Sequence, residues 1–105
     1  MSKLPKTETD KRLQKLQQLL STMQAESCLI TSQVNKYWLT GFIFDGYILV
    51  YAQSDPLLFV RRPAGLWGNN IFMIRKPEQI PGLLREAGFR VPGQVLLESD
   101  TITLS

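Results

Sequence analysis

The side chains able to do chemistry in this chain are few and scattered. It carries no histidine, one cysteine and nine carboxylates. Without imidazole the usual proton shuttle and the commonest transition-metal ligand are missing. A lone cysteine makes neither a thiolate zinc cluster nor a disulfide framework, and a Cys–His nucleophile pair is excluded outright. Cys28 falls in the run Cys28-Leu29-Ile30-Thr31, where a thiol among apolar neighbours is inert core. Asp45 and Asp55 both stand at turns, where an aspartate side chain bonds the local backbone. Glu98 and Asp100 lie two residues apart at the end of an apolar run, with no third ligand beside them. No serine sits in a strand-to-helix elbow with a base to activate it. Residue types alone therefore assign no catalytic, no cofactor-binding and no metal-binding residue.

Patterns that bind phosphate or nucleic acid fail as well. The glycines of Gly41-Phe42-Ile43-Phe44-Asp45-Gly46 have neither the dinucleotide nor the P-loop spacing. The net charge is +3, but the cations are dispersed: Lys3, Lys6, Lys11, Arg12 and Lys15 first, then Arg61-Arg62, Arg75-Lys76, Arg85 and Arg90. They form a solvated, mildly basic face rather than a stripe with interleaved aromatics. Tyr47 and Tyr51 share a strand face with Leu49, which core packing or a covering helix explains better than base stacking. Trp67, beside Leu66 in a loop punctuated by Pro63, Gly65 and Gly68, either tucks into the local core or joins a partner surface.

The elements that would position these residues follow from the hydrophobic spacing. Residues 1–8 read as a flexible tail and 9–105 as one domain. Thr7 and Asp10 form a capping box, and Leu13, Leu16, Leu19, Leu20 and Met23 mark one face of a helix from Asp10 to Gln24. A doubly buried strand at Cys28–Thr31 comes next. Ser32 then caps a short helix to Leu39 that Gly41 ends in a left-handed conformation, with Val34, Trp38 and Tyr37 as its inner contacts. Tyr47–Tyr51 and Leu57–Val60 form an antiparallel hairpin across the turn Ala52–Pro56. Ile71–Ile74 is another strand. Pro81 cannot lie deep in a helix, so Pro77–Ile80 is a loose first turn and the firm helix starts at Pro81. It presents Ile80, Leu83, Leu84 and Ala87 inward and stops at Gly88, with Phe89 packed back. Val95–Glu98 is the last strand, and a new helix opens near Asp100–Leu104.

A chain of 105 residues with 44% hydrophobic and 20% charged residues is one folded domain. Its apolar runs are too short to span a bilayer, and the N-terminus has no secretory apolar core. The single cysteine suits a reducing cytoplasm.

The block Asn35-Lys36-Tyr37-Trp38-Leu39-Thr40-Gly41-Phe42, followed by Asp45-Gly46-Tyr47-Ile48-Leu49-Val50, resembles the N-terminal domain of the creatinase and prolidase family. That family includes the Xaa-Pro dipeptidases and aminopeptidases P. Arg12-Leu13-Gln14-Lys15-Leu16 stands where its Arg-Leu-rich first helix opens the domain. Ile74-Arg75-Lys76-Pro77-Glu78 and Leu97-Glu98-Ser99-Asp100-Thr101-Ile102-Thr103 are similar to its helix-entry segment and last strand. There are departures: Gln33-Val34 replaces a proline-containing turn, and Trp38 stands where tyrosine is common. Val60-Arg61-Arg62-Pro63 replaces an Asp-x-Arg-Tyr segment, so no substrate contact carries over to Arg61 or Arg62.

The resemblance implies an α/β fold, a mixed β-sheet flanked by helices with a ribonuclease H-like motif, stopping short of the domain's last elements. It implies a non-catalytic N-terminal domain of an Xaa-Pro metallopeptidase that supports a homodimer and restricts substrate access. The family's divalent metal (Mn, Co or Zn) belongs to a separate C-terminal catalytic domain, this domain's expected partner, and is held there by two aspartates, a histidine and two glutamates. Neither nucleic acid nor membrane is expected as a partner. The other reading is a stand-alone peptide- or protein-binding module that has lost the catalytic domain.

Overall fold

A helix that buries one stripe of leucines needs a sheet to bury it against, and the order of elements supplies one. The computed structural model describes residues 6–63, 68 and 70–98. Its elements are α1 (Lys6–Thr22), β1 (Ser27–Ile30), α2 (Gln33–Thr40), β2 (Asp45–Tyr51), β3 (Leu57–Arg62), β4 (Ile71–Met73), α3 (Ile80–Ala87) and β5 (Val95–Leu97). A single 3-10 turn, Pro77–Gln79, leads into α3. The strands form one mixed sheet in the order β4-β3-β2-β1-β5. β1 and β2 pair antiparallel, as do β2 and β3, whereas β1–β5 and β3–β4 are parallel.

Strand alternation sorts the core into two layers. Cys28, Ile30, Ile48, Val50, Leu58 and Val60 face α1 and α2, packing with Leu16, Leu20 and Leu39. Leu49, Tyr51, Leu57 and Phe59 face α3 through Ile80 and Leu84. Tyr47 joins this second layer, so the tyrosine face is indeed a packed one beneath a helix. Phe59, fully buried, stacks on Phe72 with centroids 5.4 Å apart, and Phe72 meets Phe89 edge-on at 6.1 Å.

Several boundaries differ from the sequence reading. α1 begins at Lys6, so residues 6–8 are helical rather than tail. Thr7 lies inside the first turn and does not cap it. The run 7–12 is charged and polar and contributes no residue to the buried core, so a search for apolar periodicity overlooks it. Met23 is 37% exposed and lies past the helix end, and Ala87 is exposed too. Val34, expected inside, is 78% exposed; α2 instead turns Lys36 and Leu39 inward. The short helix does carry the expected Ser32 cap, whose hydroxyl accepts from the Asn35 N–H at 3.2 Å, and the expected left-handed Gly41. Pro81 sits in the first turn of α3, and Gly88 ends that helix. The loop residues Gly65, Leu66 and Trp67, and the helix expected near Asp100–Leu104, lie outside the described residues.

Glycine is obligatory at one point. Gly46 opens the β2–β3 hairpin at a register shift, with φ 152°. A Cβ there would lie 2.0 Å from the Phe59 carbonyl oxygen. The two strands approach that closely only because the side chain is a hydrogen atom.

Candidate functional site

The polar groups that converge do so around α2, the helix formed by the Asn-Lys-Tyr-Trp-Leu-Thr block. Ser32 caps it, and the chain leaves β1 through Thr31, beside the end of the parallel strand β5. Glu98 stands at that end. One of its carboxylate oxygens accepts from the Thr31 N–H at 2.7 Å and the Ser32 N–H at 2.9 Å, and the other from Asn35 Nδ2 at 2.8 Å. Burial alone would raise the pKa of this carboxyl. The hydrogen bonds from Ser32, Thr31 and Asn35 outweigh burial and hold it below the ordinary value. A negative charge at a helix N-terminus is also favoured by the helix dipole.

One helical position beyond Asn35 lies the least expected feature. Lys36 is 2% exposed. Its ammonium donates to the Gly46 carbonyl at 2.9 Å and lies 5.0 Å from the centroid of the Phe44 ring. A buried cation is tolerated only when it is paired or solvated by dipoles. Burial lowers its pKa, against the opposing pull of Asp45 and Glu98. Nothing in the sequence announced this: with Val34, Trp38 and Tyr37 read as the inner contacts of the short helix, Lys36 carried no signal of burial.

The far end of α2 is held by α1. Arg12 donates to the Trp38 carbonyl at 2.9 Å, lies 5.2 Å over the Trp38 ring and sits 3.6 Å from Glu8. Trp38 is thereby half-buried and packed on the core, as expected of it.

The other candidates are apart from this cluster. Cys28 is fully buried in β1, and burial, helped by the Glu98 charge, pushes its thiol to about 12. That is the profile of an inert structural cysteine. Asp45 stands 3.9 Å from Arg61 in a largely exposed pair, while Arg62 is exposed. Asp55 lies in the exposed hairpin loop, and Asp100 lies outside the described residues. Glu98 and Asp100 thus form no pair that the structure describes; Glu98 is committed to α2. Among the described residues no group of three or more His, Cys, Asp or Glu could hold a metal, and no buried polar side-chain atom lacks a hydrogen-bond partner. No helix among them is long and apolar enough to cross a membrane.

Two open clefts flank the sheet. One of about 460 Å³ lies between the end of α1 and the α3–β5 connection, lined in part by Glu26, Tyr51, Phe89 and Arg90. The other, about 340 Å³, has Leu13, Phe42 and Ile71 in its lining and Asp10 and Asp55 among its polar groups. Among the described residues, neither cleft brings together an acid, a base and a nucleophile.

Comparison with known proteins identifies the fold. A proline dipeptidase from Streptococcus agalactiae is similar in structure, with a TM-score of 0.63 and 25% identity over 90% of this chain and 80% of that chain. A proline dipeptidase from Streptococcus pneumoniae shares the fold, with a TM-score of 0.61 and 23% identity over 88% of this chain and 76% of that one. A comparison with curated protein sequences gives no significant match. The family model described as the creatinase/prolidase N-terminal domain matches residues 12–105. With the mixed sheet, the capped α2 and the Gly46 hairpin all in place, the chain belongs to the creatinase/prolidase N-terminal domain family.

Proposed function

We propose that this chain serves as the non-catalytic N-terminal domain of an Xaa-Pro metallopeptidase, of the dipeptidase or aminopeptidase kind. In that role it docks against a catalytic domain, contributes to a homodimer and narrows the path by which peptides reach the active centre. The observation that carries the reading is the family match over residues 12–105. The chemistry would reside in the other domain, where a divalent metal (Mn, Co or Zn) activates water and polarises the scissile carbonyl. No residue of this chain takes a catalytic or metal-binding role in it. Val34 and Ile43, 78% and 57% exposed, are apolar surface that a domain or subunit contact would cover. A reducing cytoplasm suits the unpaired thiol of Cys28.

The test is direct. Purified residues 1–105, supplied with Mn²⁺, Co²⁺ or Zn²⁺, are expected to leave Ala-Pro and Gly-Pro unhydrolysed, and to self-associate in sedimentation. Turnover that copurifies with the chain and is absent from a mock preparation would overturn the reading. A second reading, a stand-alone peptide- or protein-binding module, is favoured by the 340 Å³ cleft with its apolar lining and two carboxylates. It requires instead a stable monomer with measurable peptide affinity.

A further inference from the structure

β5 is attached differently from the other strands. Both edge strands, β4 and β5, pair over three residues with one neighbour among the described strands, but Ile71 and Phe72 of β4 both pack on the core. Val95 and Leu97 are 37% and 48% exposed, so Leu96 is the one apolar side chain of β5 that packs on the core. The segment is fastened instead by polar contacts gathered at its two ends. At its start the Glu26 carboxylate accepts from Arg90 Nε and from the Gly93 N–H. Nearby, the Tyr51 hydroxyl donates to the Arg90 carbonyl at 2.6 Å, and the Ser27 hydroxyl to the Gln94 carbonyl at 3.1 Å. At its end the Glu98 carboxylate takes the three hydrogen bonds from Thr31, Ser32 and Asn35. The β2–β3 hairpin is the opposite case, paired at five positions and buried through Leu57, Leu58, Phe59 and Val60.

We propose that residues 90–98 form a strap that lifts from the sheet as a unit, with Glu26 and Glu98 as its two clips, while β4-β3-β2-β1 remains folded. Contacts of this kind define a local opening unit. Little apolar surface must be exposed to release it, and each clip is a hydrogen-bonded carboxylate that water can replace. Phe89, edge-on against Phe72 and donating its N–H to the Leu84 carbonyl at 2.8 Å, is the fixed point from which the strap lifts. Lifting the strap bares the outer edge of β1 and removes Leu96 from its register position opposite Cys28. The thiol is then open from that flank. Because Cys28 is the chain's one cysteine, its labelling rate reads this event without interference.

Amide hydrogen exchange on the 105-residue chain at neutral pH tests the proposal. Amides of residues 95–97 are expected to exchange at least about ten-fold faster than those of 48–50 and 58–60. Glu26→Ala and Glu98→Ala should each raise both that exchange and alkylation of Cys28 by about ten-fold, leaving hairpin exchange unchanged. Equal protection of strap and hairpin in the unaltered protein would overturn the idea, because β5 would then open only with global unfolding. So would variants that speed every amide together. Should a variant fail to fold, the comparison within the unaltered protein decides alone.

Discussion

Replacing Gly46 by alanine should damage this domain far more than one methyl group suggests. The added Cβ would stand 2.0 Å from the Phe59 carbonyl oxygen and 3.0 Å from the Val60 Cα. Both are backbone atoms, so no rotamer change relieves the contact. Strands β2 and β3 must separate by about 1 Å or more to restore ordinary packing distances. Three costs then combine. A side chain at φ 152° is strained by about 1–3 kcal/mol. Separating the strands weakens one or two ladder hydrogen bonds at about 1 kcal/mol each. The Gly46 carbonyl also moves, and with it the acceptor that Lys36 requires. The total is about 3–5 kcal/mol, against a stability on the order of 5–15 kcal/mol for a domain of this size. With a urea slope of about 1.5 kcal/mol/M, the unfolding midpoint should fall by about 2–3 M. Gly82→Ala is the matched control. A Cβ on Gly82, inside α3, meets nothing within 4 Å, so alanine should stabilise by about 0.5–1 kcal/mol. A Gly46→Ala midpoint within about 0.5 M of the unaltered protein would refute the close-approach argument.

Two further outcomes follow from the core and from α2. Phe59→Ala removes a fully buried ring stacked on Phe72 and should cost about 3–5 kcal/mol in chemical denaturation; a loss under about 1 kcal/mol would mean that the layer beneath α3 repacks freely. The depressed Glu98 carboxyl binds its proton more weakly in the folded than in the unfolded state. Its contribution is therefore fully present above the ordinary carboxylate value of 4.5 and is lost as pH falls through the lower folded value. Stability curves of the unaltered protein and Glu98→Gln should diverge at pH 7 and approach one another in acid, and a constant gap down to pH 3 would remove the carboxylate's charge from the account.

Much of the fold was legible because local chemistry and tertiary need agree. Ser32 and Gly41 bracket α2 in the sequence, and they bracket it in the structure because a hydroxyl cap and a left-handed stop act within one helical turn. The hairpin was equally plain, since β-branched and aromatic runs on either side of Ala52–Pro56 have few other ways to be buried. Pro81 was placed correctly because a proline's missing N–H does no harm in a first turn. Where the reading failed, the local signal was weak or pointed elsewhere. A polar first turn hid the start of α1, and the valine at 34 looked like core when its neighbour two residues on was the buried one.

What the sequence determined alone is negative chemistry and local form: with no histidine and a single cysteine, its residue types offered no readable catalytic site, and its turns and caps were set by residues a few positions apart. Tertiary structure decided what depends on long separations. The parallel pairing of β5 with β1 joins residues 68 apart, Ser27 and Val95, and the meeting of Glu98 with Thr31, Ser32 and Asn35 depends on it. The burial of Lys36 likewise needs helix α2 to be packed on strand β2, whose Gly46 carbonyl accepts from its ammonium. The physical reason is that caps and turns are closed by the chain's own neighbours, whereas a buried charge and its partners become adjacent only after the sheet has brought distant segments together.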